Sequence, residues 1–355
     1  MLFLSVWQSV LLDLSNPIFK RFLVMSGNQV GNGKAFEYCC LIAVKNAAIK
    51  RGIKTSISPD DKNYSYAESL FVRFSAGEQK ALMLGAEAAV SFIFSCEPYM
   101  KDNVLATELR LSMQSDAAGQ KGDVRDIIFL RWSSFGSGKK EWGCGISCKH
   151  NHEAIKHPRV GLTRESDFLS NWTKNKFSCS DKFRESIGVI EDVLTACPEH
   201  ETWKNRFNKN ISGQIYAPVV KAIYDELDRL KDDPDFVACF FDFLLGTKDF
   251  YKVMSFDNER YTQVSVFNFN GSLNKRSPHL SPDRTIRVTP KPGKILSLWH
   301  DESYIRIYFD DGWTIKMRIH SASSRIERSL KFDAQLEGVP ASMMNLCFSW
   351  DLDRN

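Results

Sequence analysis

Two short segments hold the residues whose types and spacing could do chemistry. Gly122-Asp123-Val124-Arg125-Asp126 opens the apolar run 127–131, and a second apolar run, 142–148, ends on Lys149-His150-Asn151-His152. A glycine- and lysine-rich stretch joins them, so the pair reads as a β-hairpin turning near Ser137. Counting outward from that turn sets Asp126 opposite residue 148, within reach of Ser147 and Lys149, and leaves Asp123 beyond the strand end. Alternation puts Ser147 and Lys149 on one face. A carboxylate beside a lysine at a sheet end suits metal-assisted hydrolysis of a phosphodiester. A divalent cation polarises the phosphoryl oxygen and acidifies a bound water, and the lysine orients that water or neutralises developing charge. Mg²⁺ takes few protein ligands, all oxygens, so a sparse site suffices, with Asp126 and Asp123 as candidate metal carboxylates.

Around this hairpin the chain is basic. From Lys139 to Lys176 there are eight Lys/Arg against four acids, an excess equal to the net charge of +4 for all 355 residues. His150, Asn151, His152, Lys156, His157 and Arg159 fall in this stretch and are expected to touch DNA phosphates, on a helix spanning about 152–158. The letters His150-Asn151-His152 do not make an HNH-nuclease motif, which needs histidines far apart in sequence. Cys144 and Cys148 with His150 and His152 could be drawn as a zinc site, but the two thiols lie in an apolar strand where they pack well.

The elements that must position these residues follow from periodicity. Residues 33–50 carry Phe36, Cys40, Ala43, Val44 and Ala47 at helical spacing. Another long helix is expected over 75–100, opened by a capping box from Ser75 to Glu78. Residues 107–114 alternate as a strand before the hairpin strands at 126–131 and 142–148. Helices are expected near 181–195, 214–231 and 235–245. From residue 249 alternating runs take over, at 261–267, 284–288, 304–309 and 313–319, with a hairpin turn at Asp310-Asp311-Gly312. Residues 271–294 form a Pro-rich loop with six Lys/Arg and one Asp. A soft boundary near 248 therefore divides an α/β part, 25–248, from a β-rich part, 249–355.

Composition is that of a globular chain, 43% hydrophobic and 25% charged. The nine scattered cysteines fit reduced thiols rather than a disulfide framework. Residues 1–24 are apolar at first but lack a basic start and a small-residue cleavage site, and their apolar run is too short to span a bilayer. They are expected to be an extension preceding a start at Met25, or a packed helix.

The hairpin resembles the PD-(D/E)xK nuclease core, with a departure: the position two residues before the lysine, an acid in that core, is Ser147. The resemblance implies that a second metal carboxylate comes from elsewhere, Glu37 on the first helix being preferred and Glu108 next. Read together and in order, GNGKAFEY (31–38), GDVRDIIFLR (122–131), ISCKHNHEAIKHPRVG (146–161) with DFLSNW (167–172), and residues 311–340 resemble the HaeIII-type family of type II restriction endonucleases. This resemblance covers most of the chain from Gly31 to Pro340. It implies a restriction-endonuclease-like mixed β-sheet flanked by helices, followed by a β-rich recognition part. It further implies a cytoplasmic, Mg²⁺-dependent enzyme of a bacterium or archaeon, cutting double-stranded DNA at the palindrome GGCC, and a methyltransferase that protects host DNA. A homodimer or a monomer nicking each strand in turn would both serve a palindrome.

Lys316, Arg318, His320, Ser323, Arg325 and Arg328 are compatible with such a role, since G·C pairs are read chiefly by Arg or Lys on guanine O6 and N7. Two other classes compete. Ser147 in place of an acid is compatible with a non-catalytic DNA-binding protein on a degenerate nuclease fold. The aromatic strands carrying Trp299, Tyr304, Tyr308 and Trp313 are compatible with a glycan- or protein-binding module.

Overall fold

The computed structural model describes residues 29–58, 61–115, 122–133, 140–208 and 210–350, so the expectations for residues 1–24 and for the turn near Ser137 lie outside the described residues. Its fold is mixed α/β, as the resemblance implies, built on two sheets. The first has seven strands in the order β1 (Thr55–Ile57), β2 (Leu109–Met113), β3 (Ile127–Ser133), β4 (Lys140–His150), β6 (Phe250–Phe256), β7 (Tyr261–Phe267) and β12 (Asn345–Ser349). Only β1/β2 and β4/β6 are parallel pairs. The second is antiparallel, in the order β5 (Arg159–Gly161), β11 (Ser329–Gly338), β10 (Thr314–His320), β9 (Tyr304–Phe309) and β8 (Ile295–His300).

Helix α1 (Gln29–Ile49) begins earlier than its periodicity suggested and is buried on most sides, because α2 (Lys62–Phe71), α3 (Ala76–Cys96) and the first sheet surround it. Phe36, Cys39, Cys40, Leu41, Val44 and Ala48 are fully buried in that core, with Ile127, Phe129, Cys144 and Ile146 of the hairpin. The capping box forms as expected: Ser75 Oγ accepts from Glu78 N–H and Glu78 reaches back to Ser75 N–H, an arrangement worth about 1 kcal/mol. At Glu97-Pro98 the long helix breaks and a short turn, α4 (Pro98–Lys101), follows.

The middle of the chain supplies α5 (Phe168–Trp172), α6 (Asp181–Thr195), α7 (Trp203–Phe207), α8 (Ala217–Leu230) and α9 (Pro234–Leu245). These helices cover the inner face of the second sheet, and their core takes in Phe250 and Phe267 from the first.

Two expected elements do not form. Residues 152–158 are not helical: Asn151 turns the chain at φ 52°, Pro158 disfavours a helical residue before it, and Ile155 N–H donates to the Ala334 carbonyl instead. Residues 284–288 are not a strand. The Asn268 and Asn274 side chains bind this segment's backbone, and prolines at 282 and 290 bracket it. Near 248 the chain changes from helix to strand and returns to the first sheet. β6, β7 and β12 complete the first sheet, and β5, which precedes them, begins the second.

Candidate active site

β3 and β4 form the hairpin, with Ile127 opposite Ile146, one residue tighter than symmetric counting gives. Asp126, just before β3, is anchored by its own N–H to the Ile146 carbonyl at 2.8 Å. Its Oδ2 accepts from Cys148 N–H at 2.7 Å and from Ser147 Oγ at 3.2 Å. Those two bonds fix the carboxylate at the sheet end and leave its other oxygen outside this pairing. Lys149 is half-buried and follows two residues after Ser147 on the same face.

Glu37 reaches the same place from α1. It is only 6% exposed, and Lys34 one turn earlier holds it at 3.0 Å. Burial, aided by the Asp126 carboxylate, pushes its carboxyl up to about 8 against the pull of Lys34 and Lys149. A buried carboxyl short of compensating positive charge, beside a second carboxylate, is an oxygen donor pair that fits Mg²⁺. Glu108 does not belong with them. The β2/β3 register, Arg110 opposite Leu130 and Met113 opposite Ile127, sets it at the far end of β3, roughly 20 Å from Asp126.

Asp123 turns to Arg125 instead, which grips it with Nε at 2.8 Å and Nη2 at 2.6 Å. Burial opposes its ionisation, but the bonds from Arg125 and Gln114 outweigh that and hold the carboxyl below its usual range.

Sequence reasoning missed Lys252. It lies on β6 directly opposite Ser147, is 3% exposed, and donates to the Glu153 carbonyl at 2.8 Å. Burial, with Lys149 adding repulsion, pushes its ammonium down to about 7. A lysine inside the apolar run Phe-Tyr-Lys-Val-Met was the available signal. Lys34, three residues before Glu37 on the same helix face, was the other.

The drawn zinc set does not converge. Cys144 and Cys148 are buried under α1, and Cys148 pairs with Cys40. His150 lies between Ser255 Oγ at 2.9 Å and Asp257 Oδ2 at 3.0 Å. All nine cysteines are free thiols.

The expected DNA contacts divide. On β10, Lys316, Arg318 and His320 alternate outward while Ile315, Met317 and Ile319 are buried, so the first three share the outer face of the second sheet. Lys331 of β11 lies opposite both His320 and Arg159, which carries the basic row across to β5. Others are engaged within the chain. Asn151 holds Asp257, Lys156 donates to the Phe243 carbonyl over that residue's ring, and Arg328 lies 3.6 Å from Glu191. Ser323 Oγ accepts from Arg325 N–H, and Arg325 with Arg328 lines an open groove against residues 194–201. His152 and His157 meet at Asp333. Trp313 is fully buried, which removes it from any aromatic binding surface.

Comparison with known proteins gives one consistent result. A model of the HaeIII restriction endonuclease family matches residues 33–340. The type II restriction enzyme HaeIII of Haemophilus aegyptius is 32% identical over 338 residues, spanning 92% of this chain and all of that enzyme. No solved structure matches at a significant level. Every element of the site, from Lys34 to the outer face of β10, lies inside the matched span, and the chain belongs to the HaeIII restriction endonuclease family.

Proposed function

We propose that this type II restriction endonuclease uses Mg²⁺ to hydrolyse double-stranded DNA at GGCC, through a PD-(D/E)xK-like site made by Asp126, Glu37 and Lys149. The observation that carries the reading is the bonding of Asp126, just before β3, to Ser147 and Cys148 at the end of β4 that carries Lys149, with the Glu37 carboxyl brought into their electrostatic reach by α1. Glu37 and Asp126 would hold the cation. When bound, it would polarise the scissile phosphate and acidify a water. Lys149, which has no side-chain hydrogen bond or ion pair among the described residues, is free to meet the phosphate or orient the nucleophile. Ser147 donates to Asp126 and keeps its carboxylate aimed, and Asp123, bound to Arg125, has a supporting part.

Recognition falls to the outer face of the second sheet, with Lys316, Arg318 and His320 central and Arg159 and Lys331 continuing the basic row. His150, Asn151, Lys156, Ser323, Arg325 and Arg328 are flanking elements that shape this surface or touch phosphates at its edge. The enzyme works in the cytoplasm beside a methyltransferase that protects host GGCC sites.

Ser147, standing where an acid would be, favours the second reading, a DNA-binding protein that does not cut. Incubating a plasmid of known sequence with the purified protein and Mg²⁺, then mapping the ends, separates the two. Ends within GGCC are expected, with Asp126→Ala and Lys149→Ala each slowing cutting about 100-fold or more while binding persists. Binding without cutting by the unaltered protein would leave the second reading standing.

A further inference from the structure

Between the cutting site and the second sheet lies a cluster that phosphodiester chemistry leaves unused. The connection from β4 to β5 brings His152 and His157 to Asp333 on β11, and one ligand atom from each lies within 4.8 Å of the others. His157 Nδ1 is 2.8 Å from Asp333 Oδ1, and His320 Nε2, from β10, is 3.1 Å from the same oxygen. The two imidazoles of His152 and His157 face each other with centroids 5.3 Å apart.

We propose that His152, His157 and Asp333 form a binding site for a first-row transition cation, best fitted by Zn²⁺ and separate from the Glu37–Asp126 pair. Two imidazoles and one carboxylate are the donor set of Zn²⁺ and its neighbours, whereas Mg²⁺ asks for oxygens alone. The His157 Nδ1–Asp333 Oδ1 contact of 2.8 Å is about 0.5 Å shorter than a ligand–ligand edge in a tetrahedron with bonds of about 2.0 Å, so a cation enters by displacing the proton those atoms share and parting them slightly. Ligation through His152 Nε2 places that ring's proton on Nδ1 and gives up the 3.0 Å bond from Ala154 N–H. His320 supports Asp333 from the neighbouring strand, as an outer-shell donor does. A cation here would tie the connection leaving the first sheet to the second sheet.

The test uses the full chain, stripped with chelator and titrated with Co²⁺ and then Zn²⁺. One tightly held Co²⁺ per chain with the strong visible d–d absorption of a four-coordinate nitrogen–oxygen site is expected, displaced by Zn²⁺, with a higher melting temperature when Zn²⁺ is bound. His152→Gln and His157→Gln should each weaken binding about tenfold or more, while Glu37→Gln leaves it unchanged. The proposal is overturned if the unaltered chain binds Zn²⁺ no more tightly than Mg²⁺. It is overturned equally if both histidine variants, folded as judged by circular dichroism, bind as the unaltered chain does, or if Glu37→Gln alone removes the signal.

Discussion

Ser147 sets the problem at the scale of single residues, because its hydroxyl cannot take the charge-bearing place of a carboxylate beside a metal. It supports Asp126 by a hydrogen bond, and in the proposed site the second anionic oxygen is that of Glu37 on α1. That division was legible in part: the spacing of Asp126 and Lys149 pointed to the sheet end, and the resemblance pointed to Glu37. Lys252 was legible only as a lysine in an apolar run, because what a polar side chain meets across a sheet depends on register, which no local spacing encodes. Glu108 failed for the same reason. The raised carboxyl of Glu37 makes a prediction about pH. A neutral Glu37 binds a cation poorly, and the group is neutral below about 8. Below that value each unit of pH costs about a factor of ten in the ionised fraction. The Mg²⁺ concentration giving half-maximal cutting should therefore fall as pH rises from 7 to 9. A Mg²⁺ requirement that does not change over this range would remove Glu37 from the metal site.

Among elements, the β3–β4 hairpin depends on a glycine. A Cβ at Gly145 would stand 2.4 Å from Arg125 Cδ and 2.8 Å from the Ile127 carbonyl oxygen, which belongs to the residue following Asp126. Arg125 can swing away only by releasing Asp123, and the carbonyl is backbone. Gly145→Ala should destabilise the fold by about 1–3 kcal/mol in urea unfolding and slow cutting by displacing Asp126. Unchanged stability and rate would show that the strands part at little cost. Glu97, where α3 ends, offers a separate check. It accepts from Tyr251 Oη and Asn274 N–H, its other oxygen is buried with no partner among the described residues, and burial raises it to about 7. The folded protein thus holds a proton that the unfolded chain releases near its ordinary value of 4.5. Stability from this group is full below 4.5 and is lost as pH rises through about 7. Glu97→Gln should flatten that decline in melting temperature between pH 5 and 8. Elements with local signatures, the Ser75 capping box and the Asp310–Gly312 turn, were readable from sequence. β5, β8 and β12 were not, since three to six residues acquire strand character only from the neighbours they pair with.

At the scale of the whole molecule, the chain threads both sheets on either side of residue 248. Chain crossing of this kind holds the proposed cutting end of β3, β4 and β6 in a fixed relation to the outer face of β10, with α5–α9 packed in the shared core behind. If the second sheet reads DNA, cutting and reading should separate under mutation. Lys316 lies over the Tyr304 ring at 4.3 Å and 3.8 Å from Glu337, and Arg318 is exposed opposite Asp333. Neither is part of a core, so replacement should leave folding intact. If Arg318 contacts a guanine, Arg318→Ala should cost about 1–3 kcal/mol of binding to GGCC and relax preference at one base pair. If Lys316 contacts phosphate, Lys316→Ala should weaken binding evenly across sequences and lower the slope of log affinity against log salt by about 1. In both variants the single-turnover cutting rate of saturated complex should stay near that of the unaltered enzyme, because Asp126, Glu37 and Lys149 are untouched. Loss of single-turnover rate with affinity preserved would place the second sheet in the cutting step and overturn this division of labour.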